Sequence, residues 1–164
     1  MRPASRAIVA AVAIGCVSCS SATAPSTPIP FTRVASFPVS ALSAGTLAAG
    51  QQVIRDADTW ATVWSNLTGN TTPVQPLPAV DFTTNVVIFT TMGTQPSSGY
   101  QTSIGAVAAG SVEQLIVTVD QTAPGPSCVV APALTVPADA VIVSSGVASF
   151  VQFKVNQSIH QCGS

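Results

Sequence analysis

Near the start of the domain, hydrophobic residues recur among polar ones with the period of an α-helix. Trp60, Val63, Trp64 and Leu67 recur every three or four positions, which predicts an amphipathic helix. Asp56 and Asp58 stand where a helix prefers a capping residue and a negative charge, and Gly69-Asn70 follows its last turn. The two indoles could form an aromatic binding surface. A helix docked on a sheet is the favoured interpretation of so amphipathic a segment.

After the helix, short apolar runs separated by turn residues indicate strands. In the last run, Val151, Phe153 and Val155 share one face, and the intervening positions are polar. Turn residues lie at 93–99, at Gly110 and at 124–126. The sequence therefore predicts a mainly β (α+β) fold, mostly antiparallel, with one helix packed on it as a two-layer arrangement or a β-sandwich. The predicted strands are 51–54, 86–89, 100–107, 115–119, 129–134, 141–143 and 147–155, within a single domain at 36–162.

The N-terminus has the pattern of an export signal. Two arginines precede an uncharged apolar run, Ala7–Val17, which is too short to span a bilayer, so residues 1–19 are predicted to be a signal peptide. An apolar helix packed on the domain is the alternative. Cys16 and Cys19 each follow small residues as in a bacterial lipobox, and lipidation is favoured over cleavage after Ala24. Residues 20–35, rich in Ser, Thr, Ala and Pro, are predicted to be a disordered tether.

Charge and cysteine usage are consistent with a domain outside the cytoplasm, lipid-anchored to a bacterial membrane or secreted. Removing the signal leaves three basic and six acidic side chains in about 145 residues, so no basic patch for nucleic acid remains. Cys128 and Cys162 form an even pair, which predicts a disulfide in an oxidising compartment. A metal or redox pair would need closely spaced cysteines or histidines. No metal or cofactor is expected.

Candidate catalytic groups are few. His160 is the single histidine and lies two positions from Cys162, which favours a solvent-exposed tail over a catalytic role. Asp81 could meet Asp120 or Asp139 for acid-base chemistry, but helix caps and turns are the better account of these acids. The sequence predicts a protein that is not an enzyme.

The segment Gly93-Thr-Gln-Pro-Ser-Ser-Gly-Tyr100 is the most specific motif of the domain. Its two glycines can adopt a positive φ, the proline fixes a turn, and the tyrosine can cap the edge of the core. The predicted binding residues are Gly93, Pro96, Ser97, Gly99 and Tyr100. The alternative is a hairpin that merely connects two strands.

This motif resembles the PrcB C-terminal-like domain family, named for a subunit of a bacterial surface protease complex. The resemblance covers roughly Gln51–Val143 and includes the two tryptophans, Val80-Asp81-Phe82, and the later segments 124–126 and 133–137. The chain departs from the family in having Ala138 where an aromatic residue is common, and in adding two cysteines.

The resemblance implies a non-enzymatic protein-binding domain that stabilises or modulates another extracytoplasmic protein, with a protease as one candidate. Direct protease inhibition is the alternative. A surface protein of no specific ligand and a hydrolase dependent on His160 are weaker alternatives.

Overall fold

The computed structural model describes residues 26–34, 48–69, 73, 75–110, 113–147 and 150–163. In chain order the elements are β1 (Thr27–Pro28), β2 (Thr32–Arg33), β3 (Gly50–Ile54), α1 (Ala57–Thr68), β4 (Asn85–Thr91), β5 (Gln101–Ala109), β6 (Gln114–Pro124), β7 (Ala138–Ser144), a 3₁₀ turn (Ser145–Val147) and β8 (Phe150–His160). They form three layers: one sheet in the order β1-β5-β6-β8, a second in the order β2-β7-β4-β3, and α1. The predicted mainly β fold with one docked helix is confirmed, and it takes the sandwich form.

Helix α1 begins directly after the predicted capping residue and contains the predicted apolar stripe. The Asp56 carboxylate accepts a hydrogen bond of 2.8 Å from the Thr59 amide, so Asp56 is the N-cap. Trp60 and Trp64 are buried, and their indole N–H groups donate to the carbonyl oxygens of Pro78 and Gln75 at 3.0 and 3.1 Å. The tryptophan stripe is therefore a docking face of the helix.

Strand β4 is apolar along its whole length because it is buried on both faces. Val86 and Ile88 face the core between the two sheets, whereas Val87 and Phe89 face the core beneath α1. The uninterrupted run Val86–Phe89 in the sequence is the consequence of this central position.

Among the described strands, all pairings are antiparallel except one. Strand β8 runs parallel to β6, from Gln114 opposite Phe150 to Pro124 opposite His160. Between these two strands the chain passes through β7 in the other sheet, so it returns in the direction of β6 without a tight turn. Strand β8 begins at Phe150 and continues to His160, beyond the predicted limit of Val155.

The predicted tether at 20–35 is wrong for residues 26–34. Strand β1 pairs with β5, and β2 pairs with β7, so this short segment adds an edge strand to each sheet. Val34 is 2 % exposed in the core beneath α1, and Arg33 forms an ion pair with Asp139. Apolar residues spaced among the prolines are what anchor the segment. The predicted signal peptide and lipidation at Cys16 or Cys19 lie outside the described residues.

Candidate protein-binding site

The segment Gly93–Tyr100, here called the crossing loop, connects β4 in one sheet to β5 in the other. The hairpin interpretation is therefore wrong, because the two strands belong to different sheets. Gly93 and Gly99 have φ values of 70° and 94°, a region that side-chain-bearing residues rarely adopt. The predicted use of both glycines at positive φ is confirmed.

The crossing loop is held from behind by the segment that precedes β7. Gln95 and Thr135 exchange backbone hydrogen bonds of 2.7 and 3.0 Å, and the Thr135 hydroxyl donates to the Ser97 carbonyl at 2.8 Å. The Ser98 amide donates to the Ala131 carbonyl at 3.0 Å, and the Ala131 amide donates to the Ser98 hydroxyl at 2.9 Å. These bonds fix the two segments against each other.

The five predicted binding residues differ in their exposure along the crossing loop. Gly93 is buried, Ser97 and Tyr100 are half-buried, and Pro96 and Gly99 are exposed. Within the described part of the chain, the Tyr100 hydroxyl has no hydrogen-bond partner. The crossing loop thus exposes Pro96 and Gly99 and is hydrogen-bonded to its neighbour through Ser98.

That neighbour, residues 126–134, is the exposed apolar surface of this end of the domain and is called here the braced loop. The side chain of Val129 is 103 % exposed and that of Leu134 is 53 % exposed. The apolar run at 129–134 predicts a strand, and this prediction is wrong. Pro132 cannot donate a backbone hydrogen bond, and the amide of Ala131 bonds to the crossing loop instead of to a strand.

The predicted Cys128–Cys162 disulfide is present and ties the braced loop to the C-terminal segment, with the two Cα atoms 5.0 Å apart. The Ser127 hydroxyl donates to the Cys162 carbonyl at 3.0 Å, and the Gly125 amide donates to the His160 carbonyl at 2.8 Å. The loop is thus covalently and non-covalently fixed at one end and hydrogen-bonded to the crossing loop further along.

A groove of about 410 Å³ lies between the braced loop, the crossing loop and the end of β8. Ser98, Gly99, Val129, Val130 and His160 are among the residues that line it. His160 is the last residue of β8 and is exposed beside the disulfide, so it lies at the rim of this groove. The braced loop itself carries no charged residue, which favours recognition through apolar and backbone contacts.

The acidic residues considered for acid-base chemistry each have a separate structural partner. Asp81 accepts hydrogen bonds from Thr83 and Thr84, Asp120 accepts one from Asn156, and Asp139 is paired with Arg33. Hydrogen bonds from the Thr83 hydroxyl and then its amide lower the pKa of Asp81, which caps the turn before β4. Among the described residues, no group of three or more His, Cys, Asp or Glu side chains could hold a metal ion.

These layers define the class of the domain: a β-sandwich with one docked helix and a disulfide-braced loop at one end. Residues 86–144 match the family model described as PrcB C-terminal. The match confirms the resemblance from β4 to the end of β7, a segment that contains both the crossing loop and the braced loop. Helix α1, which also contributed to the resemblance, lies outside it.

A search of curated proteins and a search of solved structures each found no match. In the ranges that the structure describes, no helix combines the length and the hydropathy needed to cross a membrane.

Proposed function

We propose that this chain is a non-enzymatic protein-binding domain that acts outside the cytoplasm and stabilises or modulates a partner protein, with a protease as the leading candidate. The braced loop carries the proposal. It exposes Val129 and Leu134 to solvent, lacks charge, and lies inside the segment that matches the PrcB C-terminal family. Exposed apolar residues on a fixed loop are typical of an interface core, because little conformational entropy is lost on binding.

The proposed location follows from the export pattern of residues 1–19 and from the disulfide. Lipidation at Cys19, or at Cys16, would hold the domain at a bacterial membrane. Mass spectrometry of the mature N-terminus tests this part separately, since cleavage after Ala24 without a lipid would make the domain a secreted one.

Co-purification from membranes tests the binding surface. With the double variant Val129→Ser/Leu134→Ser, most of the partner that the wild type recovers is expected to be lost. Leu77→Ser is the matched control, because Leu77 is also an exposed leucine, 46 % accessible, but lies outside the braced loop. If the double variant recovers the partner as well as Leu77→Ser does, the braced loop is not the binding surface.

A third variant separates the two loops. Tyr100→Ala alters the crossing loop and leaves the exposed side chains of the braced loop in place. If recovery falls with Tyr100→Ala but not with the double variant, the crossing loop contacts the partner directly, and the assignment to the braced loop is wrong.

Direct protease inhibition is a second candidate, and the environment of Val129 supports it. A fully exposed side chain follows a disulfide-bonded cysteine in a loop whose backbone is fixed on both sides. At stoichiometric amounts, an inhibitor of this kind would block a protease whose active site accepts a small aliphatic residue. Val129→Asp would abolish this inhibition. Cleavage of the loop without inhibition would exclude this mechanism.

A further inference from the structure

Strand β8 is an unprotected sheet edge in the part of the chain that the structure describes. It pairs with β6 on one side, and no described strand pairs with its other side along Phe150–His160. Natural edge strands are usually short, interrupted by proline or a bulge, or rich in charge. Strand β8 has eleven residues, no proline, no shift in its register with β6, and a single charge at Lys154.

Exposed apolar residues are concentrated on the same strand. Phe150 is 64 % exposed, Val155 is 39 % exposed and Ile159 is 62 % exposed. These are three of the six large hydrophobic side chains exposed among the described residues, and the braced loop holds two of the others. Val155 and Ile159 share one face of β8 and Phe150 lies on the other, so both faces of this strand carry exposed apolar surface that is separate from the braced loop.

We infer that β8 pairs antiparallel with β8 of a second copy of this chain, about a two-fold axis at Val155. This register uses all eleven residues, since Phe150 then lies opposite the copy's His160 and Val151 lies opposite its Ile159. The sheet that contains β8 in one copy joins the same sheet of the other copy, which gives one sheet of eight strands across the axis. The proposal does not rest on the function proposed for the braced loop.

Charge favours this register over the one that is shifted by two residues towards Lys154. A shift of two residues that centres the pairing on Lys154 would place the two lysines directly opposite each other, which is destabilising. In the proposed register Lys154 lies opposite Asn156 of the copy. The Asn156 amide donates a 2.9 Å hydrogen bond to Asp120 on the adjacent β6, so each lysine approaches a carboxylate of the other chain.

Cysteine cross-linking tests the pairing and its register in the full chain. Directly opposite Cα atoms in an antiparallel pair are about 4.5–5.5 Å apart, within the range of a disulfide. Val155→Cys is expected to form an intermolecular disulfide in most of the protein. Gln157→Cys is the matched control on the same face of β8, because its equivalents would lie four positions apart, about 13 Å along the strands. Wild-type protein gives the background from the other cysteines.

Sedimentation velocity measures the assembly without a cross-link. The wild type is expected to sediment as a dimer, and Val155→Lys as a monomer, because it places two like charges at the axis. Lys154→Glu should weaken the dimer by about two- to thirtyfold, because the two-fold axis repeats the exposed ion pair twice. Adding Asp120→Lys to this variant should restore the affinity.

Three results would overturn the inference. The first is a wild type that is monomeric together with a Val155→Cys variant that forms no cross-link. The second is a Gln157→Cys cross-link as abundant as that of Val155→Cys. The third is a Val155→Lys variant that remains dimeric and folded. If Val155→Lys fails to fold, the pair of cysteine variants still decides the register. None of these results depends on partner recovery, so failure here is distinct from failure of the braced loop.

Discussion

The ion pair between Arg33 and Asp139 closes an open edge of the sandwich, and its removal should destabilise the domain. Asp139 on β7 accepts a hydrogen bond of 2.7 Å from the backbone amide of Ile104 on β5, and Arg33 donates to both Asp139 and the Ile104 carbonyl, the latter at 2.9 Å. Strand β1 pairs with Ala108 and Ala109 of β5, and the Ile29 amide donates to the Val107 carbonyl, so this contact does not reach Ile104. The two charged side chains therefore satisfy backbone groups of Ile104 on the edge of β5 that faces away from β6, where no described strand pairs with Ile104.

The expected magnitude follows from the burial of the two side chains. Asp139 is 9 % exposed and Arg33 is 46 % exposed. Breaking a fully buried pair costs about 3–5 kcal/mol, whereas an exposed pair contributes about 0–1 kcal/mol. Arg33→Ala leaves the Asp139 carboxylate and the Ile104 carbonyl each one donor short, so a loss of about 2 kcal/mol is expected. The corresponding fall in Tm is about 5–10 °C for a domain of this size.

Urea denaturation under oxidising conditions measures this loss, with Thr32→Ala as the control in the same strand. Thr32 is exposed, and its replacement should change the free energy of unfolding by less than about 0.5 kcal/mol. A cycle with Asp139→Ala should give a coupling energy of about 1–2 kcal/mol. If Arg33→Ala matches the control, the ion pair does not stabilise this edge of the sandwich, and the reasoning from the burial of Asp139 is refuted.

Three further measurements test other parts of the structure. Replacing Cys128 and Cys162 together by alanine should destabilise by about 4 kcal/mol, the chain-entropy value for a separation of 34 residues, and should make the braced loop the first site of limited proteolysis; an unchanged urea midpoint would contradict this. Hydrogen bonds from the Thr59 amide and then its hydroxyl lower the pKa of Asp56, so its contribution to stability is present above about pH 4 and lost as pH falls through the lowered pKa. Asp56→Asn should therefore be less stable at neutral pH and lose less on acidification; parallel acid-unfolding curves would refute this. Gly99 has a positive φ, and a Cβ added there would lie 3.1 Å from Pro124, so Gly99→Ala should lower the free energy of unfolding by about 1–3 kcal/mol. Gly50→Ala should lower it less in the same urea titration, because a Cβ added there meets nothing within 4 Å.

Local patterns were sufficient for the helix and the central strand. Asp56 and the spacing of Trp60, Trp64 and Leu67 determine where α1 begins and which face it buries, because capping and helical period act within a few residues. The run Val86–Phe89 likewise identifies β4, and the positive φ of Gly93 and Gly99 follows from the motif that contains them. The even pair of cysteines identified the disulfide.

The candidate site depended on tertiary contacts that no local pattern reveals. The apolar composition of residues 129–134 is equally compatible with a buried strand and with an exposed loop. The loop forms because the amide of Ala131 bonds to Ser98, more than thirty residues away, and because the disulfide holds Cys128 at the C-terminal segment. For this reason the binding surface that we propose is the braced loop, which packs beside the conspicuous motif at 93–100.

The fold class, the helix and its buried face, the central strand and the pairing of the cysteines could all be predicted from the sequence, since each depends on residue types at short or countable spacing. Tertiary contacts were needed to show that residues 26–34 add a strand to each sheet, that β8 lies parallel to β6 with no second partner among the described strands, and that the braced loop is exposed. The physical reason is that a strand's partner and the burial of its faces are set by residues distant in sequence, whereas its extended conformation is not.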